Sequence, residues 1–340
     1  MRAVVVYEHG GPEKLTYVED YPEPKIGPND VLVEVKAVAM NHLDIWVREG
    51  LRGVKLPRIL GSDISGIVRE IGEGVENVKV GDEVIVAPGY GCGMCRYCLS
   101  GRESMCKSYT MPGYHTDGGY AELTKHPAYA ILGKPRGLSF EEAASVPLVF
   151  LTSWHMLVTL ADLKMDEWVL IWGAGSGVGI SSIQIAKLLG AKVITTVGDD
   201  WKVEKAYKLG ADYVINRRKE DVVKKVREIT GRGVDVVVDS VGKETWDKSI
   251  RSLGVGGRLI SVGATTGPDA TIDVRRVFAK QLKILGSYMG SRAELMEVLS
   301  YFEDGKLKPV IDSRFPLEEA RKAHEKMERS EMFGKIVLIP

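Results

Sequence analysis

Two kinds of apolar pattern follow one another along this chain, and the change between them divides it. In the first 149 residues apolar positions recur in short runs. Residues 31–38 alternate, residues 67–71 and 83–87 read as further short strands, and Gly72, Gly74, Gly81 and Gly89 punctuate them. Short strands cut by glycine turns predict an antiparallel, partly closed β assembly. From about residue 150 the apolar runs become uninterrupted. Residues 168–172, 192–197, 213–216, 234–238, 258–263 and 282–287 are strand candidates, with helical patterns such as 220–229 and 244–253 between them. Runs like Val236-Val237-Val238 suit strands buried on both faces of a parallel sheet. Residues 292–302 and 317–327 then read as amphipathic helices and residues 334–339 as a final strand, so the tail is expected to rejoin the first domain. The expected fold is α/β, with a β-rich domain over residues 1–149 and 288–340 and a doubly wound domain over residues 150–287.

The doubly wound part carries a candidate chemistry. Its first strand runs straight into Gly173-Ala-Gly-Ser-Gly-Val-Gly179, and a helical pattern follows through Ile180, Ile183, Ile185, Ala186 and Leu189. Strand, glycine turn and helix start are what a pyrophosphate requires, because glycines let backbone approach the phosphates and a helix start offers free N–H groups. Gly173, Gly175, Ser176, Gly177 and Val178 are the candidate contacts, and Val178 stands where the third glycine of the usual fingerprint would fall. Residues 150–287 therefore read as a Rossmann dinucleotide-binding domain. Its second strand ends at Val197 and Gly198, without the acidic side chain that accepts the ribose hydroxyls of NAD. A 2′-phosphate fits there, with Lys202 and Arg217 or Arg218 to neutralise it, whereas Asp199 and Asp200 could bind ribose instead. NADP(H) is expected ahead of NAD(H).

Composition narrows the partners. The 46 basic and 46 acidic residues cancel and are mixed along the chain, which removes the electrostatic case for nucleic acid or an anionic membrane. A small-molecule substrate is expected. Residues 143–161 and 168–186 lack charged side chains, but Pro147 and the glycines of the turn interrupt them. The amino terminus has no secretory apolar region, so the expected location is cytoplasmic.

Four cysteines are present. Cys92, Cys95 and Cys98 follow one another at x₂ spacing, and Cys106 comes after seven more residues. Such spacing suits one tetrahedral zinc, one per subunit, held by a lobe of about residues 89–110. Four protein ligands fill the coordination sphere, so this metal is structural and the chemistry lies elsewhere.

Taken together, Asn41-His42-Leu43-Asp44, Gly61-Ser62-Asp63-Ile64-Ser65-Gly66, Val80-Gly81-Asp82-Glu83-Val84, the cysteine loop, Asp117-Gly118-Gly119-Tyr120-Ala121-Glu122, the glycine turn and Gly334-Lys335 resemble the medium-chain dehydrogenase/reductase superfamily over nearly the whole chain. That superfamily holds zinc alcohol dehydrogenases and zinc-free quinone and enone reductases. The resemblance implies a GroES-like catalytic domain, a homo-oligomer (dimer or tetramer), and cofactor contacts at His42, Thr152, Val241, Val262, Gly263, Ser287 and Lys335. It also shows departures. Where the alcohol dehydrogenases hold a catalytic zinc with a cysteine, a histidine and a second cysteine, this chain has Asn41, Ser62 and Leu148, with Asp63 in place of a glutamate. One oxygen ligand does not replace that donor set for zinc. Thr195-Thr196-Val197-Gly198 is similar to the cofactor strand of NADPH quinone reductases. The implied activity is reduction of a ketone, enone or quinone by hydride transfer, with Asn41 donating a hydrogen bond to the developing charge. His42 is expected to contact the pyrophosphate, with proton delivery as its other role. Asp44 and Asp63 are expected as hydrogen-bond acceptors. A zinc alcohol dehydrogenase with an atypical ligand set and a non-catalytic NADPH-binding protein are the competing expectations.

Overall fold

The structure, a computed structural model, describes residues 1–340. It divides into two units, Met1–Leu151 with Gly290–Pro340, and Thr152–Met289.

In the second unit six parallel strands lie in the order Tyr213–Asn216, Lys192–Val197, Trp168–Ile171, Val234–Asp239, Leu253–Ser261, Lys283–Gly286. The third, second and first strands thus run one way from the centre and the fourth, fifth and sixth the other. This reversal between the first and fourth strands is where doubly wound sheets bind dinucleotides. Val169, Leu170, Ile171, Val193, Ile194, Val236 and Val237 have no exposure, as expected for strands covered on both faces. The strand expected at residues 258–263 starts earlier, at Leu253, because Leu253 is itself core and pairs with Val234. At the far edge Lys283–Gly286 and the helix Val274–Ala279 remain largely uncovered, with Phe278 and Val274 exposed.

In the first unit a seven-stranded sheet is centred on Asp30–Ala39 and Asp63–Ile71, and a three-stranded sheet is formed by Leu15–Val18, Ala3–Val6 and Arg58–Ile59. The alternation read at residues 31–38 puts Val31, Val33 and Val35 in the core. The tail strand Lys335–Ile339 pairs antiparallel with Asp30–Ala39. It also pairs parallel with Ile311–Pro316, a strand the sequence pattern did not announce. Parallel neighbours need a crossover. Here the crossover is the 3₁₀ turn Leu317–Glu319 and the helix Ala320–Glu328, so the helix expected at residues 317–327 begins as a 3₁₀ turn. No helix is long and apolar enough to cross a membrane.

Candidate active site, nucleotide cradle and metal centre

The cysteine lobe hangs between the strands Glu83–Val86 and Leu123–Pro127 and contains only one turn of helix, Arg96–Leu99, and a 3₁₀ turn, Glu103–Met105. Its four sulfurs lie within 4.8 Å of one another. Cys95 and Cys98 are 3.6 Å apart and Cys92 and Cys98 4.0 Å, against about 3.8 Å for the edges of a tetrahedron with 2.3 Å zinc–sulfur bonds. Backbone N–H groups of Cys92 and Ser108 point at the Cys106 sulfur from 3.5 and 3.4 Å. Backbone N–H groups also pull the Cys92 thiol down to about 6, whereas burial and the neighbouring thiols push Cys98 up to about 12. Four sulfurs at this spacing could close around one cation, which would convert the thiols to thiolates. Cys92, Cys95, Cys98 and Cys106 fit zinc, which would supply a cross-link for the loop.

The glycine turn follows Trp168–Ile171 and opens the helix Gly177–Leu188. Ser176 caps that helix, accepting from the Gly179 N–H at 3.0 Å while donating to the Gly173 carbonyl at 2.8 Å, so its hydroxyl shapes the loop. A Cβ on Gly179 would sit 2.1 Å from the Gly173 carbonyl oxygen. The close-packing glycine is thus Gly179, one position after Val178, and it was missing from the contacts expected by sequence. The N–H groups of Gly177 and Val178 in the first turn are left for a ligand. Val241, Val262, Gly263 and Ser287 follow the carboxyl ends of the last three strands. The buried Ser287 hydroxyl has no hydrogen-bond partner, as expected of a group awaiting a ligand. Thr152 is buried, and its hydroxyl turns toward the Met289 sulfur at 3.9 Å.

Beyond Gly198 the charges are arranged differently from expectation. Lys202 was expected as a phosphate ligand, but its side chain is only 10% exposed, its ammonium lies 3.9 Å from the Asp199 carboxylate, and it covers the Trp201 ring. Arg218 also pairs with Asp199, while Asp200 takes Asn216 and Lys219. The carboxylates that could have bound ribose are occupied. Arg217 makes no ion pair. Its guanidinium lies 3.3 Å from the place a Cβ on Gly198 would take, and burial, then the charge of Arg218, lower its pKa. An exposed guanidinium with no ion pair and a like charge beside it is free to meet an anion.

The Asn41 cluster is assembled from distant segments. Asn41 precedes the helix His42–Glu49, and Asp63 opens the strand Asp63–Ile71. Asp63 accepts from the Asn41 amide at 2.8 Å and, through its other oxygen, from the Leu148 N–H at 2.8 Å. The Lys335 ammonium donates to the Asn41 side-chain oxygen at 2.6 Å and to Asp63 at 2.9 Å. Asn41, Asp63 and Lys335 are all buried. Lys335 was expected to contact the cofactor, yet its charge is engaged here, which no pattern in the sequence indicated. The second Asn41 amide proton meets only the Ala39 carbonyl at 3.5 Å, so it alone is left to donate elsewhere. Ser62 has no exposure and gives its hydroxyl proton to the Pro112 carbonyl at 2.6 Å.

Asp44 stands apart as a clamp, not a reactive group. One of its oxygens accepts from the Asn41 N–H at 2.8 Å and the other from the Gly61 N–H at 3.0 Å, tying together the two segments that carry Asn41 and Ser62–Asp63. Burial pushes its carboxyl up to about 6, against the pull of those N–H groups and of Lys335. His42, the first residue of its helix, is half-buried edge-on against Trp46 and has no hydrogen-bond partner on either ring nitrogen. Burial lowers its pKa. Of the expected catalytic residues, His42 alone keeps its whole hydrogen-bonding capacity.

Comparison with known proteins shows the family. Residues 27–136 match the alcohol dehydrogenase GroES-like domain family and residues 177–304 the zinc-binding dehydrogenase family. An alcohol dehydrogenase of Geobacillus stearothermophilus is 35% identical over 99% of both chains. A quinone oxidoreductase of Salmonella typhimurium is 35% identical over 98% of both. A crystal structure of an NAD-dependent alcohol dehydrogenase superposes with a TM-score of 0.96 at 45% identity, covering 100% of both chains. With these matches along its whole length, the chain belongs to the medium-chain dehydrogenase/reductase superfamily of oxidoreductases.

Proposed function

We propose that this protein reduces an activated carbonyl or conjugated double bond, in a ketone, enone or quinone, by hydride transfer from NADPH without a catalytic metal. One observation carries the reading: where a catalytic zinc would need soft ligands, Asn41 and Ser62 spend their polar atoms on Asp63, Lys335 and Pro112, and Leu148 offers only its backbone. The positive charge is supplied by the Lys335 ammonium instead. The nicotinamide, when bound, supplies the hydride. His42 donates to the cofactor pyrophosphate, and the remaining Asn41 N–H is the donor for oxygen charge that develops on the acceptor. Conjugation in the acceptor disperses the charge that a metal would otherwise stabilise. The likeness to a quinone oxidoreductase supports this reading, and the likeness to alcohol dehydrogenases supports the alternative, a zinc enzyme with an unusual ligand set.

Metal analysis and an acceptor panel separate the two. About one zinc per subunit, no gain on adding zinc, slow ethanol oxidation and faster reduction of enones or quinones are expected. Two zinc ions per subunit, with rapid ethanol oxidation abolished by a chelator, would restore the zinc alcohol dehydrogenase. For the cofactor, Arg217→Ala should weaken NADPH by about 10- to 100-fold, the value of a charged hydrogen bond, and NADH little. A parent protein that binds NADH more tightly than NADPH overturns the NADPH assignment. The uncovered edge at Lys283–Gly286 supports a homo-oligomer, because a parallel strand open to water is a template for pairing. Light scattering that shows a monomer at micromolar concentration would reject it.

A further inference from the structure

Asp239 ends the fourth strand of the parallel sheet, Val234–Asp239, with no exposure, and four uncharged donors meet its carboxylate. Oδ1 accepts from the Val241 and Gly242 N–H groups at 2.9 and 3.1 Å and from the Thr245 hydroxyl at 2.9 Å, and Oδ2 accepts from the Ser249 hydroxyl at 2.6 Å. Ser249, likewise without exposure, takes the indole N–H of the buried Trp172 at 2.8 Å. An indole can only donate. The Ser249 oxygen therefore accepts from Trp172, and its one proton goes to Asp239. The two ends of this chain are the two loops of the crevice. Trp172 is the residue before Gly173 and its turn, and Val241 and Gly242 follow the fourth strand. The first and fourth strands flank the reversal of the sheet, where a doubly wound fold takes its dinucleotide. Main-chain pairing between them ends with the Trp172 N–H on the Val238 carbonyl at 3.2 Å, and the side-chain link begins at the next residue. Val241 is fixed from its other side as well, because the N–H and hydroxyl of Thr266 reach its carbonyl at 2.8 and 2.9 Å.

A buried carboxylate is costly to desolvate, and an apolar side chain of the same volume would often stabilise the fold as well. What a fully met polar chain adds is a fixed arrangement, since each donor has one direction. We propose that Asp239 is a positioning residue for the cofactor: through Ser249 and Trp172 it holds the glycine turn and the Val241-Gly242 loop at a set separation, so that the dinucleotide enters a crevice already shaped for it. The inference rests on the reading of the glycine turn as a pyrophosphate site.

The test uses the intact protein with nitrogen-15 tryptophan, and NADPH and NADH as probes. In the parent, saturation with the cofactor that binds should move the Trp172 indole resonance, although that ring is buried. Ser249→Ala cuts the chain while leaving Val241, Gly242 and Thr245 on Asp239. It should shift the free protein's Trp172 indole proton upfield and weaken NADPH and NADH alike, by about 3- to 30-fold, the range for a side chain that touches no ligand but is coupled to its site. Asp239→Asn, which keeps an oxygen for the loop but turns a donor toward Ser249, should do the same. The double variant Trp172→Phe, Ser249→Ala should bind no more weakly than Ser249→Ala, because both changes cut one chain. A residue that served stability alone would lower the melting temperature and leave both affinities of the folded variant in place. That result, or a parent indole resonance that stays fixed at saturating cofactor, overturns the inference and leaves the cofactor site standing; the second measurement needs no variant to fold. A parent that binds neither NADPH nor NADH overturns the pyrophosphate reading and this inference with it.

Discussion

The cysteine lobe and the Asn41 cluster are both polar centres of the first unit, and they are assembled in opposite ways. The lobe takes its four sulfurs from one stretch between Cys92 and Cys106 with almost no regular structure around it. The cluster draws Asn41, Asp63, Leu148 and Lys335 from four distant segments held by the central sheet. Soft thiolates repel one another and need an external dication to settle. In the cluster the cation is internal: Lys335 neutralises Asp63 and orients Asn41. The first centre depends on a metal for its shape, and the second depends on the fold and leaves no soft ligand for a metal.

The largest effect should come from breaking the lobe. Cys106→Ser should take zinc from about one per subunit to nearly none and lower the melting temperature markedly, since structural zinc binds with roughly 10 to 16 kcal/mol in small peptides, of which a folded scaffold registers part. Protein that remains folded should keep its turnover. Loss of turnover in the folded variant would show that the two centres are not independent, and an unchanged melting temperature in a parent already free of metal would remove the zinc knot altogether.

Removing the internal cation comes next. Lys335→Met leaves the Asp63 carboxylate, whose side chain has no exposure, without its counter-charge, which should cost about 3 to 5 kcal/mol of stability in urea unfolding. The double variant Asp63→Asn, Lys335→Met should regain most of it. If the single variant loses less than about 1 kcal/mol, the ammonium is not what organises the cluster.

The smallest effect concerns acid. Burial pulls His126 and His324 down to about 3 from a usual value near 6.5, so unfolding takes up protons at both as pH falls below 6.5, and stability decreases. Asp44, raised to about 6, works the other way between about 6 and its ordinary 3.8, because there the folded carboxyl already holds a proton. Two histidines against one carboxyl leave a net slope of about 1.4 kcal/mol per pH unit between pH 6 and 4, steeper between 6.5 and 6. His126→Leu should flatten that slope to near zero between pH 6 and 4. A slope unaltered by the substitution would mean that acid acts first on the thiolates of the lobe, whose metal binding is also lost on protonation.

Whatever depends on neighbours along the chain could be read from the order of residues. Uninterrupted apolar runs separated by helical patterns gave the parallel sheet, the glycine turn marked the start of the helix Gly177–Leu188, and the spacing of four cysteines gave the metal knot, because each of these is a local pattern with a local physical cause. Even there, the shift of the close-packing glycine to Gly179 became visible only when the distance to the Gly173 carbonyl was known. Tertiary structure alone decided where charge resides. Lys335 is separated from Asp63 by 272 positions and His324 from Tyr120 by 204, and no periodicity encodes a hydrogen bond across such a span. Lys202 and Arg217 looked interchangeable in sequence, and the difference between them lies in which one folding placed beside Asp199 and which one it left facing Gly198 without a partner. Charges act through space and through the water they lose on burial, and both quantities are fixed only when distant segments have packed together.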